Sequence, residues 1–160
     1  MSGFNVIHDV SLELRSQIFD ALRSTPGSVF SLTNPATNIT LQPPQDGIPE
    51  AVHASLFLYH LDIDKHLRGQ RPLPDRTRDD LFHNPPLPLQ LRFMLTPLRD
   101  KEEDNLSIIG RVMQHFHDHP TITMLNGAPM DDSRGGASPA LRVRPDMLSL
   151  EQLTQMWNAL

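Results

Sequence analysis

The stretch PLQLRFMLTPL, residues 88–98, decides how this chain is read. Leu87, Leu89, Leu91, Phe93 and Leu95 alternate with Pro88, Gln90, Arg92, Met94 and Thr96. A period of two places the two sets on opposite sides of a pleated backbone, so the spacing predicts a half-buried strand. Thr96-Pro97 closes it.

A second strand is predicted upstream, at ASLFLYHLDI (54–63). Strict alternation puts Leu56 and Leu58 on one side, and Phe57, Tyr59, Leu61 and Ile63 on the other. Apolar groups on both sides predict a central strand covered on both faces. Between the two strands, residues 64–88 mix charge with proline and are expected to form a long exposed loop, a length uncommon without function or disorder.

Helices are expected on either side of this pair. Over residues 5–23, Ile7, Val10, Leu14, Ile18, Ala21 and Leu22 follow helical spacing, and Thr25, Pro26 and Gly27 stop the run. Two extended pieces follow, 28–33 and 38–42, parted by the turn-prone Asn34-Pro35. After the strand at 88–98, RDKEED (99–104) reads as a solvated charge run. A helix then runs from Leu106 to about His119, capped by Asp104 or Asn105. Its predicted buried stripe is Leu106, Ile109, Met113 and Phe116, widened by Ile108 and Val112. Gly110 inside it would mark close packing against a neighbour. Short strands are predicted at 121–125 and 141–144, around the polar loop NGAPMDDSRGGASPA. Ser149 and Gln152 form a capping box that opens a last helix with Leu150, Leu153, Trp157 and Leu160. The order predicts an α/β fold: a single domain over 1–160, with a mixed β-sheet and helices packed on it.

Composition narrows the function. The 160 residues carry a net charge of -5, with 38% hydrophobic and 6% aromatic residues and 15 prolines. Mean hydropathy is -0.34 and the pI about 5.8. That balance argues against nucleic acid as a partner. It fits a modest core with long polar loops, completed in part by a neighbour. There is no cysteine, so neither a disulfide framework nor a thiolate site is available. No secretory signal begins the chain and no run approaches the ~20 apolar residues of a membrane span. A cytoplasmic, soluble protein is expected.

Few residues point to chemistry. In MQHFHDHP (113–120), His115 and His119 stand four apart on a helix, a spacing that lets two imidazoles grip one metal ion. His117 points away from both, and there is no H-E-x-x-H. The alternative is a polar helix end, where histidines interact with the free carbonyls and the dipole. His53, His60, His66 and His83 are scattered. The pairs Asp62/Asp64 and Asp131/Asp132 read as solvated acids rather than ligands of a hard cation. No nucleophile elbow appears, and SRGGAS (133–138) lacks the context of a phosphate loop. No catalytic residue, cofactor site or enzyme activity is therefore expected. A histidine-ligated metalloprotein, perhaps a hydrolase, is the alternative reading, and an adaptor docking through Arg71-Pro72-Leu73-Pro74 is a third.

The ordered set of segments carries a resemblance. SLFLYHL (55–61), HNPPLPLQLRFMLTPL (83–98), IIGRVMQHFHDHP (108–120), Leu141–Pro145 and Leu148–Trp157 resemble, in that order, the tail terminator or cap proteins of phage-tail-like contractile injection systems. The N-terminal domain of that family long carried no assigned function. The resemblance implies a tail-terminator-like fold and a structural role. A homo-oligomeric ring, expected to be hexameric, would sit on the last ring of the inner tube, stop its polymerisation and link its end to the sheath. It would assemble in the cytoplasm as part of a particle that is then released or retained. The family usually continues past the Trp-containing helix into another strand and a variable tail. This chain stops at Leu160, which leaves a missing C-terminal strand or a short member as alternatives. Arg71, Arg76, Arg78 and Arg134 are candidate contacts with tube or neighbouring subunits, against the equal reading of solvated loop charges.

Overall fold

The structure, a computed structural model, describes residues 5–25, 30–45, 47–63, 73–74, 82–83, 89–125, 127–130, 140–146 and 148–159. It is a mixed α/β fold, as the element order predicts. Its centre is a sheet of strands β1 (Ile39–Thr40), β2 (Ala54–Ile63) and β5 (Leu89–Pro97) in the order β1-β2-β5. The first pair is parallel and the second antiparallel. β2 is thus central, as expected.

Helix α1 (Val6–Arg23) matches its predicted span, and its buried residues include Val10, Leu14, Ile18, Ala21 and Leu22. Phe19 joins them, which the helical spacing did not single out. Helix α3 (Glu102–Asp118) lies against α1 and β5. The core gathers Leu14, Ile18 and Leu22 of α1 with Ile108, Val112 and Phe116 of α3, over Ile39, Ala54 and Leu56 of the sheet. Leu91, Phe93 and Leu95 of β5 pack against it, half-buried.

A bulge corrects the reading of β2. Leu56 faces Leu95 and Leu58 faces Phe93, but His60, not Tyr59, faces Arg92. The extra residue restores parity, because two residues of one strand then oppose one of the other. Leu61 and Ile63 consequently stand opposite Leu91 and Leu89, on the same face as Leu56 and Leu58 rather than with Phe57. Nor is the strand covered throughout: full burial covers only Ala54, Ser55 and Leu56, and Leu61 is 44% exposed.

The segment before the sheet also differs from expectation. Residues 30–33 form no regular strand, and a short helical turn, α2 (Pro35–Asn38), replaces the start of the second extended piece. Asn34 caps it by accepting from Ala36 N at 2.8 Å, and Pro35 takes the first helical position, where a missing N–H costs nothing. Asn38 is buried at its end and ties three segments together. Its Oδ1 accepts from Thr33 N (2.7 Å) and Asn34 N (3.0 Å), and its Nδ2 donates to Ala51 O (2.9 Å). Its own carbonyl accepts from His53 N.

Three small pairings complete the described chain. Within the expected loop 64–88, β3 (Leu73–Pro74) and β4 (Phe82–His83) pair antiparallel; the rest of that segment lies outside the described residues. Strand β6 (Thr121–Ile122) pairs with β9 (Leu141–Arg142), and β7 (Met124–Leu125) with β8 (Ala128–Pro129). Arg92 on β5 meets Asp146 at 3.1 Å, fastening the segment after β9 to the sheet. The last helix, α4 (Leu150–Ala159), opens on the predicted capping box: Gln152 N donates to Ser149 Oγ and Ser149 N to Gln152 Oε1.

Candidate functional site

Helix α3 and its C-cap carry the histidine pair that the sequence offers as a site. The helix begins four residues earlier than predicted, taking in the second half of the charge run, whose Glu102 and Glu103 stay exposed to solvent. Glu102, Glu103 and Asp104 form its first turn, where carboxylates offset the exposed N–H groups and the positive end of the dipole. Asn105, one of the predicted caps, lies inside the helix. Its Oδ1 accepts from Arg99 N (2.9 Å) and its Nδ2 donates to Arg99 O (3.0 Å), clamping the turn that leads in from β5.

The helix also faces the core with a different side. Ile108, Val112 and Phe116 are buried, as the widened stripe allows, but Leu106, Ile109 and Met113 point outward. Gly110 shares that outward side. A Cβ built on it meets nothing within 4 Å, so the close neighbour expected for it is not part of this chain's described fold. Glycine in a helix interior costs about 1 kcal/mol relative to alanine, and no contact among the described residues offsets that cost.

At the C-terminal end the histidines are brought together in part. The His115 and His119 rings stack, with centroids 5.0 Å apart and planes 28° from parallel. His119 is the C-cap: its N–H donates to His115 O at 2.8 Å, and its Nδ1 lies 3.2 Å from the same oxygen. His117 turns away to Asp118, 3.2 Å off. An open cleft of about 300 Å³ runs beside the stacked pair, lined by Glu13 and Gln17 of α1 and by Thr121–Met124. Among the described residues no three His, Asp or Glu side chains converge as metal ligands do. The arrangement is that of a capped helix end.

His115 is half-buried, and its Nε2 has no hydrogen-bond partner. Burial first, then the neighbouring His119 and Arg111 charges, hold its pKa below the usual histidine value. His53 behaves similarly deeper in the fold. It is buried beside the Phe30 edge with Nδ1 unpartnered, and burial and then Arg99 lower its pKa.

Arg111 is the residue on α3 that sequence reading passed over. Its Nε donates to Ala21 O at 3.0 Å and its Nη2 to Ser24 Oγ at 3.2 Å. Ninety positions separate the partners, so no local signal could have pointed to them. The other candidates are not tested: Arg71, Arg76, Arg78 and Arg134 lie outside the described residues, as do His66, Asp64, Asp131 and Asp132. Asp62 accepts from the Ile63 backbone N–H. No helix among the described residues is long and apolar enough to cross a membrane.

The described residues form a mixed α/β fold, with an uncharged stretch on the outward side of α3 between Leu106 and Gln114 apart from Arg111, which turns to α1. The model of the Pvc16 N-terminal domain family matches residues 9–160, and the chain belongs to that family. The family is Pvc-associated, in keeping with a protein related to contractile injection systems. No curated protein matches the chain.

Proposed function

We propose that this protein is a structural, non-enzymatic terminator, or cap, of a contractile injection system. It forms a ring, hexameric in this reading, on the last ring of the inner tube, stops tube growth and couples the tube end to the sheath. The family match over residues 9–160 carries the reading. Two features agree with it: the acidic balance, which disfavours nucleic acid as a partner, and an outward apolar side of α3 that the described residues leave uncovered. Assembly takes place in the cytoplasm, and the ring then stays with the particle. By their position in the sequence, Arg71, Arg76, Arg78 and Arg134 are candidate contacts with the tube or with neighbours.

Native mass measurement of the purified protein, alone and with tube protein, tests this. A closed oligomer that binds tube ends supports it. A strict monomer at high concentration, indifferent to tube protein, contradicts it.

A further inference from the structure

Capping the C-terminal end of α3 uses only part of the histidine pair that stands there. His119 commits its backbone N–H and its Nδ1 to the His115 carbonyl, at 2.8 and 3.2 Å. A carbonyl oxygen only accepts, so Nδ1 carries the proton and the lone pair of the His119 ring sits on Nε2. That is the arrangement in which a metal-binding imidazole is held, one nitrogen fixed by a carbonyl and the other left to ligate. His115 Nε2 is closed to solvent and has no hydrogen-bond partner. A polar atom in that state calls for one.

The spacing of the rings suits a shared ion. Their centroids are 5.0 Å apart. Two imidazoles on one ion, at metal–nitrogen distances of about 2.0–2.1 Å and a tetrahedral angle, have centres roughly 5 Å apart. Aiming both lone pairs at one point therefore takes a turn of the rings and no shift of the backbone. His119 is exposed, with room for that turn.

The surroundings favour a cation. The last carbonyls of α3 form the negative end of its dipole. Glu13 lines the same cleft, with Thr121 and Thr123 beside it, and Asp20 and Asp118 are near enough to act on His115. Arg111, the nearby cation, is turned to Ala21 O and Ser24 Oγ.

We propose that His115 and His119 together chelate one divalent transition-metal ion of the copper, nickel and zinc class at the end of α3, with water in its other positions. Imidazole nitrogens select these ions over magnesium and calcium, which take oxygen ligands. Among the described residues no third His, Asp or Glu joins the pair. The site is accordingly weak and exchangeable, unlike the closed four-ligand centres on which a fold depends. Its effect is structural. The ion fastens the C-cap to the last helical turn and stiffens the exit from α3 into β6. The terminator reading neither needs this site nor excludes it.

Metal titration of the untagged full chain, first stripped with a chelator, tests it. Copper, nickel and zinc chlorides are each expected to bind at one ion per subunit by isothermal titration calorimetry, copper most tightly, and to raise the thermal midpoint. His119→Gln, at an exposed position, is expected to lower the affinity by roughly tenfold or more, as is His115→Gln. His117→Gln should leave it unchanged. In proton spectra zinc is expected to move the ring signals of His115 and His119 and not those of His117. A parent protein with no saturable binding at millimolar metal would overturn the proposal. Unchanged binding by His119→Gln, or zinc shifts confined to other histidines, would overturn it too, because the ion would then sit elsewhere.

Discussion

Arg111 on α3 donates from Nε to the carbonyl oxygen of Ala21 across 3.0 Å, at the C-terminal end of α1. That oxygen is among the last in the helix, which have no intrahelical donor, and the Ser24 and Thr25 hydroxyls also reach it, each at 3.1 Å. The guanidinium thus adds a charge at the negative end of the α1 dipole and fixes the angle at which the two helices meet. Arg111→Ala is expected to lower stability by about 1–2 kcal/mol, the scale of a part-exposed charged hydrogen bond. A urea midpoint unchanged from the parent would show that the contact contributes nothing.

Asn38 secures the other end of the sheet. Replacing it with alanine strands the Thr33 and Asn34 N–H groups and the Ala51 carbonyl, which its amide now satisfies. Partners left unmet in a buried place cost about 1–3 kcal/mol each, some of it recovered by water. Asn38→Ala is expected to cost about 2–4 kcal/mol, read from denaturant unfolding. A loss below about 0.5 kcal/mol would be inconsistent with the clamp.

The two faces of β5 should respond differently to a charge. Leu91 and Leu95 pack on the core, so Leu91→Asp or Leu95→Asp sets an unpaired carboxylate there and is expected to prevent folding. Gln90, on the opposite face and exposed, should accept aspartate with little change. A soluble Leu91→Asp protein with native circular dichroism would mean that the strand is wrongly placed.

Gly110 offers a test with opposite signs. Its surroundings leave room for a methyl group, so Gly110→Ala is expected to stabilise the isolated subunit by about 0.5–1 kcal/mol. The same change should weaken self-association, read as a higher dissociation constant by sedimentation. Stabilised subunits with unchanged association would mean that no neighbour approaches that point.

Protonation should weaken the fold on the acid side. His53 and His115 have folded pKa values held below 6.5, chiefly by burial. Both are neutral in each state well above 6.5. As pH falls through 6.5 the unfolded chain takes up protons that the folded one resists, so stability declines until the folded values are reached. The thermal midpoint is expected to fall between pH 7 and pH 5, with a smaller drop in His53→Gln. Equal slopes in the variant and its parent would exclude His53 as a source.

Local rules made part of this architecture legible. The helical spacing of α1, the alternation of β5 and the Ser149/Gln152 pair each follow from a short period or a fixed offset, and each is found. Other features needed the third dimension. Apolar residues form a broad arc on α3, with Leu106 at one edge and Ile108 at the other, so spacing alone could not say which of the two faces inward; packing against α1 decides it. The bulge at Tyr59 changes which side chains share a face without altering the composition of β2. Glu102–Asp104 read as a solvated charge run, and only the helix dipole explains why these carboxylates form a first turn. Asn34-Pro35 looks like a turn until its capping bond is seen. The partners of Arg111 and Asn38 come from distant segments. For the site, the sequence placed the histidines at a helix end, where they are, but not their stacking.

Electron microscopy of the parent particle with and without this protein tests the terminator account most directly. The account predicts tubes of one length carrying a ring at one end when the protein is present, and tubes of uncontrolled length or unstable sheaths when it is absent. Particles of the same length, equally capped and sheathed, in its absence would contradict it.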